Sequence, residues 1–591
     1  MSQKTRSTNI DALKGLAILA VVLYHASDKL MPSGYLGVDV FLVVAGYFMM
    51  LSMLKYPEFF LVKFITDRLF RIWPLVLAAA AAAMAIGCFT MLPDDFENLC
   101  ESVVASNLFA NNILACMTTK NYWDVVNEYK PLMHTWYLGV LMQGYVLCAV
   151  VFALTRRLLS TRRRNLIAVF GAIWAISLIL YLLPVFSIYT KFYWLPFRLF
   201  EILSGSLIAL LCQHDSGKEV GERARRIHTG IWVVCTIAIV GLLFGFRFAC
   251  RRVEIPVIIT VAVTSVLLYS TERKKDFEIP GGKFLAYLGV GCFSIYIWHQ
   301  LLLAFGRYCI FAAWNKYAAA SFLIGLIATS VFSFYVIEKK FCGSLVKSAH
   351  RGVWFCVLAA FCIASSGTAF YFYRQGGCVR DVPEMDIYRK DKVRNLHANY
   401  NSRAYKLDRD FTSSKKKVLV VGHSYARDWC NVIAESKFAD KFEISYIYHP
   451  SRERVNQSRQ RFLDADFIFY VEEDFPSMLP AGVNMDKTYM VGTKYFGVSN
   501  GLIYQRRFFA NYKDASIVIP ENFMERHLRH KAQRGDHYID MISPVQNLDG
   551  SVRVFTPEGK FISQDCRHLT RSGARYYAEK YEPFFEKLSS L

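Results

Sequence analysis

Eleven apolar stretches, each near the roughly 20 residues that carry a helix across a bilayer, fill the first two thirds of this chain and decide most of what it can fold into. They run over 12–28, 35–54, 74–92, 132–155, 165–184, 192–212, 229–247, 255–271, 284–306, 317–337 and 352–374. Water is absent from the hydrocarbon core, so each segment must satisfy its own backbone, and helices are the expected form. With 591 residues, 54% of them hydrophobic and 15% aromatic, the chain is too long and too apolar for one soluble domain. The N-terminus, MSQKTRSTNIDALKG, carries no cleavage pattern, so the first apolar stretch reads as an anchor that is retained.

A formal net charge of +21 raises the question of nucleic acid. The distribution of that charge answers it. Lys and Arg gather in short loops between apolar stretches: YPEFFLVKFITDRLFRIW, TRRLLSTRRRN, GKEVGERARRIH, TERKKDFEIPGGK and EKKFCGSLVKSAHR. These loops are cytoplasmic if the chain starts inside. The long loop 93–131 then falls outside and is acidic, with Asp94, Asp95, Glu97, Glu101, Asp124 and Glu128. One outer loop, FRFACRRVEIP, breaks the rule. No nucleic-acid module is present, and no nucleic-acid partner is expected. Of the 15 Cys, most lie within the apolar stretches as small buried residues. Cys100 and Cys116 share an outer loop where an oxidising compartment would let them pair; Cys378, Cys430 and Cys566 lie beyond the last stretch. No metal-ligand spacing stands out, and no metal is expected.

Past residue 374 the pattern changes. Residues 375–414 read as a polar linker, with QGG, NYNSR and TSSKKK as turn signals. From 415 onward, KKKVLVVG, FEISYIY, ADFIFYVE, KTYMVG and ASIVIP are short β-branched or aromatic runs separated by helix-like stretches, the pattern of a parallel sheet. The expected fold is a polytopic α-helical membrane domain of about 10–11 helices over 1–345. A further helix and linker follow over 346–414, then an extracytoplasmic three-layer α/β domain over 415–591.

Ionisable residues inside membrane segments are candidate functional groups. In IDALKGLAILAVVLYHA, Lys14 and His25 are eleven residues apart, on roughly one helix face about 16 Å from each other. Asp11 lies one turn before Lys14, and GVDVF puts Asp39 near the outer end of the second segment. In DRLFRIWP, Arg68 and Arg71 share a face at the cytoplasmic border; they read as a charge anchor or as a fork for phosphates. Farther on, Ser424 follows the strand–Gly turn of VLVVGHSY. Asp565 and His568 stand three apart in SQDCRHLT, before the last helices. A hydroxyl nucleophile needs a base, and the base needs an orienting carboxylate; this set supplies all three if the loop folds against the strand end. The plain alternative is a surface Asp and His, with Thr570 capping a helix.

Together, IDALKGLAILAVVLYH, YLGVDVFLVVAGYFM, DRLFRIWPL, HTWYLGVLMQGYV, FRLFEILSGSLIA and FSIYIWHQLLL resemble the acyltransferase-3 family of membrane acyltransferases over about residues 8–340. The resemblance implies that Lys14 and His25 are the basic residue and His of the first-span motif, and that Arg68 and Arg71 are its Arg-x-x-Arg pair. It places Arg198 and Glu201 in the polar motif of a later span, and Trp298 and His299 in the late WH motif. One segment departs from the family: where SLAVEEQFY is usual, this chain has YLGVLMQGY, with Leu141 and Met142 in place of an acidic pair. That carboxylate's role is absent or taken over, by Asp39 or Glu201. The C-terminal part resembles the SGNH hydrolase superfamily, with His423 where that superfamily has Asp. The resemblance implies an oxyanion site made by the Ser424 N–H, a Gly and an Asn, for which Gly492 and Asn500 are the candidates.

The implied function is an O-acyltransferase, most often O-acetyl, of the bacterial inner membrane. It would take acyl-CoA as donor substrate, hold no bound cofactor, and act on an extracytoplasmic envelope glycan or lipid-linked sugar, such as O-antigen, lipooligosaccharide, capsule or peptidoglycan. Two other readings stay open: a transport-like or degenerate membrane domain, and a carbohydrate esterase in the C-terminal part.

Overall fold

The computed structural model describes all residues except 1–7, 28, 56–59, 119–126, 160–161, 216–220, 245–253, 272, 274–280, 311–314, 379, 390–395 and 509–510. Asp124, the arginines of FRFACRRVEIP and the ends of two expected spans, at 28 and 245–247, therefore lie outside the described residues. The chain forms two compact units, residues 1–89 with 98–371, and residues 90–97 with 372–591.

The membrane unit is built from helices α1 Thr8–Ala26, α2 Gly37–Leu54, α3 Leu61–Thr90, α4 Pro93–Asn107, α5 Asn111–Thr118, α6 Trp136–Leu159, α7 Arg163–Leu182 and α8 Ile188–Tyr193. It continues with α9 Leu195–Asp215, α10 Glu222–Phe244, α11 Glu254–Thr271, α12 Gly282–Val290, α13 Cys292–Phe305, α14 Lys316–Ser333, α15 Gly343–Lys347 and α16 Arg351–Gln375. Among the described residues, ten helical segments are long and apolar enough to cross a membrane. The pair Gly282–Val290 and Cys292–Ile310, bent by 73°, makes an eleventh. Each expected span is thus present. The third begins thirteen residues earlier than the apolar pattern suggests, at Leu61, so Arg68 and Arg71 project from a continuous helix that passes through Pro74.

Lipid is as apolar as a Leu side chain, so these helices associate by close packing rather than by escape from water. Small residues allow it. A Cβ on Gly289 of α12 would sit 1.8 Å from the Asp11 carbonyl oxygen of α1, and one on Gly205 of α9 would sit 1.8 Å from that of Val43 in α2. These contacts set α1 and α2, which carry His25 and Asp39, directly against their neighbours.

In the C-terminal unit, β1 Lys416–Gly422, β2 Phe442–Tyr448, β3 Phe467–Tyr470, β4 Thr488–Val491 and β6 Tyr538–Ile539 form a parallel sheet in the order β2-β1-β3-β4-β6. Residues alternate across β1. Val418 and Val420 face a core that includes Trp429 of α18 Ser424–Glu435, Tyr577 of α23 Arg571–Lys580 and Phe585 of α24 Glu582–Ser590. Leu419 and Val421 face the opposite core, with Val455 of α19 Arg452–Gln457 and Phe462 of α20 Arg459–Asp464. Helices on both faces of a parallel sheet are the three-layer arrangement an SGNH-like domain requires. One strand assignment changes. ASIVIP does not enter this sheet: β5 Ser516–Ile517 pairs antiparallel with β7 Val552–Arg553, and the fifth parallel strand is Tyr538–Ile539. Two residues are too short to carry a period, so the sequence gives no sign of that strand.

Nor is 375–414 only a linker. Val382, Met385 and Ile387 are buried with Leu92, Tyr504, Val554, Phe555 and Phe561, and α17 Leu396–Ser402 joins Asn401 to Asn431 at 2.9 Å and to Gln564 at 3.1 Å. Among the described residues no disulfide forms, so Cys100 and Cys116 are not paired with each other.

Candidate active sites

Two constellations emerge, one in each unit. In the membrane unit, His25 closes the last turn of α1 and its Nδ1 lies 2.9 Å from Nε2 of His299 on α13. The two rings stack with centroids 5.1 Å apart. His299 Nδ1 is 2.6 Å from the carbonyl oxygen of Tyr296. That oxygen can only accept, so His299 Nδ1 carries a proton, and neutral His299 presents a lone pair at Nε2. His25 Nδ1–H must then donate to it, which leaves Nε2 as the basic nitrogen of His25. Arg307 holds the end of α1 from the other side, donating to the carbonyl oxygens of His25 at 2.5 Å and Ala26 at 3.2 Å. Such a contact suits a cation at a helix C-terminus. Beside this pair, His134 packs edge-on to His299 at 5.4 Å, and its carbonyl accepts from the Tyr296 hydroxyl. Sequence reasoning passed over His134 and Arg307. His134 stands in the HTW motif itself, whereas Arg307, in GRYCI, has no local pattern to announce it.

Lys14 does not join His25; its ammonium bonds Asp11 at 2.9 Å. Arg68 lies over the rings of Phe64 and Tyr145, while Arg71 is exposed in the first half of α3. Asp39, Arg198 and Glu201 form a buried group. The guanidinium is 2.7 Å from Asp39 and 3.1 Å from Glu201, and no side chain in it is more than 2% exposed. Trp298 donates to Ser333 at 3.0 Å. Leu141 and Met142 are packed apolar residues, and the polar work of their segment falls to Gln143, which exchanges amide hydrogen bonds with Asn112.

In the C-terminal unit, β1 is the strand at which the sheet order reverses, and the crevice at its carboxyl end is where open α/β sheets bind ligands. Gly422 makes the turn there with φ +132°, and a Cβ on it would meet Val471 at 2.4 Å. His423 caps α18, its Nδ1 accepting from the Tyr425 N–H at 3.3 Å. A neutral imidazole therefore does the capping an Asp would otherwise do. Burial, with the charges of Lys494, His449 and His568, lowers His423 to about 4. Ser424 follows at the first position of α18, buried, its Oγ making no hydrogen bond.

The Asp565–His568 loop is locally self-built. Asp565 Oδ1 accepts from the backbone N–H of His568 at 2.7 Å and of Arg567 at 3.1 Å, and Oδ2 holds His568 Nδ1 at 2.5 Å. Burial pushes this carboxyl up, but the charge and hydrogen bonds of His568 outweigh that and hold it at about 2. An ionised Asp565 fixes the Nδ1–H tautomer and leaves Nε2 as the base. Cys566, at φ +69°, turns the loop, and its thiol donates to Asn500 at 3.3 Å. Asp428, one turn beyond Ser424, accepts from the Leu569 N–H at 3.0 Å and from Lys494 at 2.9 Å, so the helix that carries the Ser also ties down the His loop. Of the two oxyanion candidates, the Gly492 N–H donates to the Ile539 carbonyl at 2.8 Å, and one amide hydrogen of Asn500 donates to the Ser563 carbonyl at 2.6 Å. Both were what the superfamily resemblance implies, and a resemblance does not reveal which backbone group each donor reaches.

Asp94 belongs to this unit as well. Burial and the nearby Asp565 charge raise it from 3.8 to about 7. A raised carboxyl binds its proton more tightly when folded, so its stabilisation is complete below pH 3.8 and lost as pH rises through about 7. Asp565 acts in the opposite sense and lower window, its contribution fading only as pH falls from 3.8 toward 2. Asp94→Asn should therefore gain a few degrees in Tm over the parent chain at pH 8, with the gain shrinking to nothing by about pH 4. Equal pH slopes for the two proteins would contradict the placement.

The comparisons place the N-terminal part of the chain in a known family. The family profile described as an acyltransferase domain matches residues 7–338, more than half of the chain. The chain belongs to the acyltransferase-3 family and is a multi-pass membrane acyltransferase. BcsY of Komagataeibacter xylinus, provisionally named a membrane-bound transacylase, is 28% identical over 342 residues, 57% of this chain and 83% of BcsY. The peptidoglycan O-acetyltransferase OatA of Listeria monocytogenes is 24% identical over 308 residues, 50% of this chain and 49% of OatA. A Staphylococcus aureus protein provisionally named an O-acetyltransferase is 24% identical over 314 residues, half of each chain. No solved structure gives a significant match.

Proposed function

We propose that this chain moves an acyl group, acetyl in the first instance, from cytoplasmic acyl-CoA to a hydroxyl of an envelope polysaccharide outside a bacterial inner membrane. The observation that carries this reading is the His25–His299–Tyr296 chain, which leaves His25 Nε2 as a base of fixed tautomer. That nitrogen takes the proton of the acceptor hydroxyl as its oxygen attacks the thioester carbonyl. A C–O bond forms, the C–S bond breaks, and the CoA thiolate recovers a proton from His25. Arg68 and Arg71 lie in the first half of α3, which starts on the membrane face opposite the start of α2. They would bind the CoA phosphates there, with the pantetheine arm reaching toward His25. The polysaccharide acceptor is supported by the OatA likeness.

The second site supports a companion reading of the C-terminal unit, as an extracytoplasmic serine centre that forms an acyl-Ser424 intermediate from esters of the same glycan. This reading assigns Ser424 as nucleophile, His568 as base and Asp565 as the carboxylate that orients the base; the Asp565–His568 contact is formed, while Ser424 Oγ makes no hydrogen bond in this structure. To test the main reading, membranes are given acetyl-CoA labelled in its acetyl group. Label should enter the glycan as an alkali-labile ester; none entering would sink the proposal.

A further inference from the structure

A pocket at one end of the membrane unit has no part in the chemistry described so far. It is lined by Tyr35, Asp39, Tyr181, Lys191, Phe192, Arg198 and Glu254, with Val38, Ile188 and Val257, and encloses about 460 Å³ including its mouth. These residues come from the start of α2, the end of α7, α8, the start of α9 and the start of α11. Those are all span ends on one membrane face, the face opposite the start of α3 with Arg68 and Arg71. Lys191 bonds Glu254 at 2.6 Å with its side chain 6% exposed, and Arg198 bonds Asp39 at 2.7 Å. A run of packed rings joins the pocket wall to His25. Tyr35 stands edge-on to Tyr24 at 5.7 Å, and Tyr24 lies 5.5 Å from the His25 ring.

We propose that this pocket, built from the Lys191–Glu254 and Arg198–Asp39 ion pairs and the Tyr35, Tyr181 and Phe192 rings, binds the pyranose ring that receives the acyl group. This assignment rests on the transferase reading above. The chemistry selects the ligand. Two cations face three carboxylates, Asp39 and Glu254 in the walls and Glu201 behind Arg198, so the pocket suits a neutral group rather than the phosphates of CoA. Three buried charged side chains, Asp39, Lys191 and Arg198, with the half-buried Glu254, make poor company for a fatty chain. A sugar ring offers what the walls match: a C–H face for aromatic rings, and hydroxyls that accept from Lys191 and Arg198 while donating to Asp39 and Glu254. The ring reaches the pocket as part of a polysaccharide or on a lipid carrier, and both present the same hydroxyls.

The test uses the full-length protein in nanodiscs with acetyl-CoA. Two acceptor preparations from the producing cells are titrated separately: oligosaccharide released from the envelope glycan, and the lipid-linked sugar fraction. Lys191→Met and Glu254→Gln should each raise the KM for the active acceptor about tenfold or more and leave the KM for acetyl-CoA unchanged. To separate lost binding from poor folding, the double exchange Lys191→Glu with Glu254→Lys is included; it keeps an ion pair and should regain part of the acceptor affinity. A selective shift with either preparation supports the pocket and identifies the carrier. An unchanged acceptor KM, or a KM shift for acetyl-CoA instead, overturns it. A parent protein that consumes no acetyl-CoA with either acceptor defeats the transferase reading itself, a result the KM comparison cannot imitate.

Discussion

Replacing His25 with Ala should lower acetyl transfer from acetyl-CoA to the glycan by about 100-fold or more, the usual reach of a general base, while the KM for acetyl-CoA stays within a few-fold. Without Nε2 the acceptor hydroxyl must attack with its proton in place, and no neighbour is set to take over. His134 faces His299 rather than replacing His25, and Lys14 is held by Asp11. His299 supplies the internal control. His299→Leu removes the acceptor for His25 Nδ1–H and frees the imidazole to change tautomer, so part of the loss should reappear. His299→Gln, whose amide oxygen can still accept from Nδ1–H, should restore much of it. Equal losses for Leu and Gln would mean that His299 serves only to fill space. The measurement is initial-rate transfer with labelled acetyl-CoA at matched protein levels.

The second large effect belongs to the C-terminal unit. A fluorophosphonate probe should label Ser424, and Ser424→Ala should reduce turnover of a simple acetyl ester such as 4-nitrophenyl acetate about 10³-fold or more. Asp565→Asn should be nearly as damaging despite making no contact with substrate. An amide at that position can present its NH₂ to Nδ1, and the imidazole then holds its proton on Nε2, the wrong nitrogen. The carboxylate also accepts two backbone N–H groups, so the loop's shape and the tautomer depend on one side chain. Labelling that persists in Ser424→Ala would move the nucleophile elsewhere.

The parts of this architecture that sequence could show are those decided locally. Membrane helices are fixed by runs of apolar residues, and each of the eleven was legible, although Leu61–Trp73 was hidden because charged residues at a membrane border look like loop. The Asp565–His568 loop was legible because its turn closes on itself over four residues. His423 departs from the superfamily pattern yet keeps the cap, since an imidazole nitrogen can accept the Tyr425 N–H where a carboxylate would. What could not be read depends on distant partners. Nothing in IVIP says that Ser516–Ile517 pairs with Val552–Arg553 instead of the main sheet, or in VSNG that Asn500 is spent on Ser563. The His25–His299 bond spans 274 positions and was visible only as two separate motifs. Residues 90–97, which end α3 and begin α4 in what reads as a membrane-domain loop, belong to the C-terminal unit.

The most direct test of the central claim, that the His25 site acylates an envelope glycan, is the O-acetyl content of purified glycan by NMR. It compares cells carrying the intact chain with cells carrying His25→Ala at equal membrane levels. The ester signal should be clear with the intact chain and fall to background with His25→Ala. A His25→Ala strain that keeps the full signal would contradict the account.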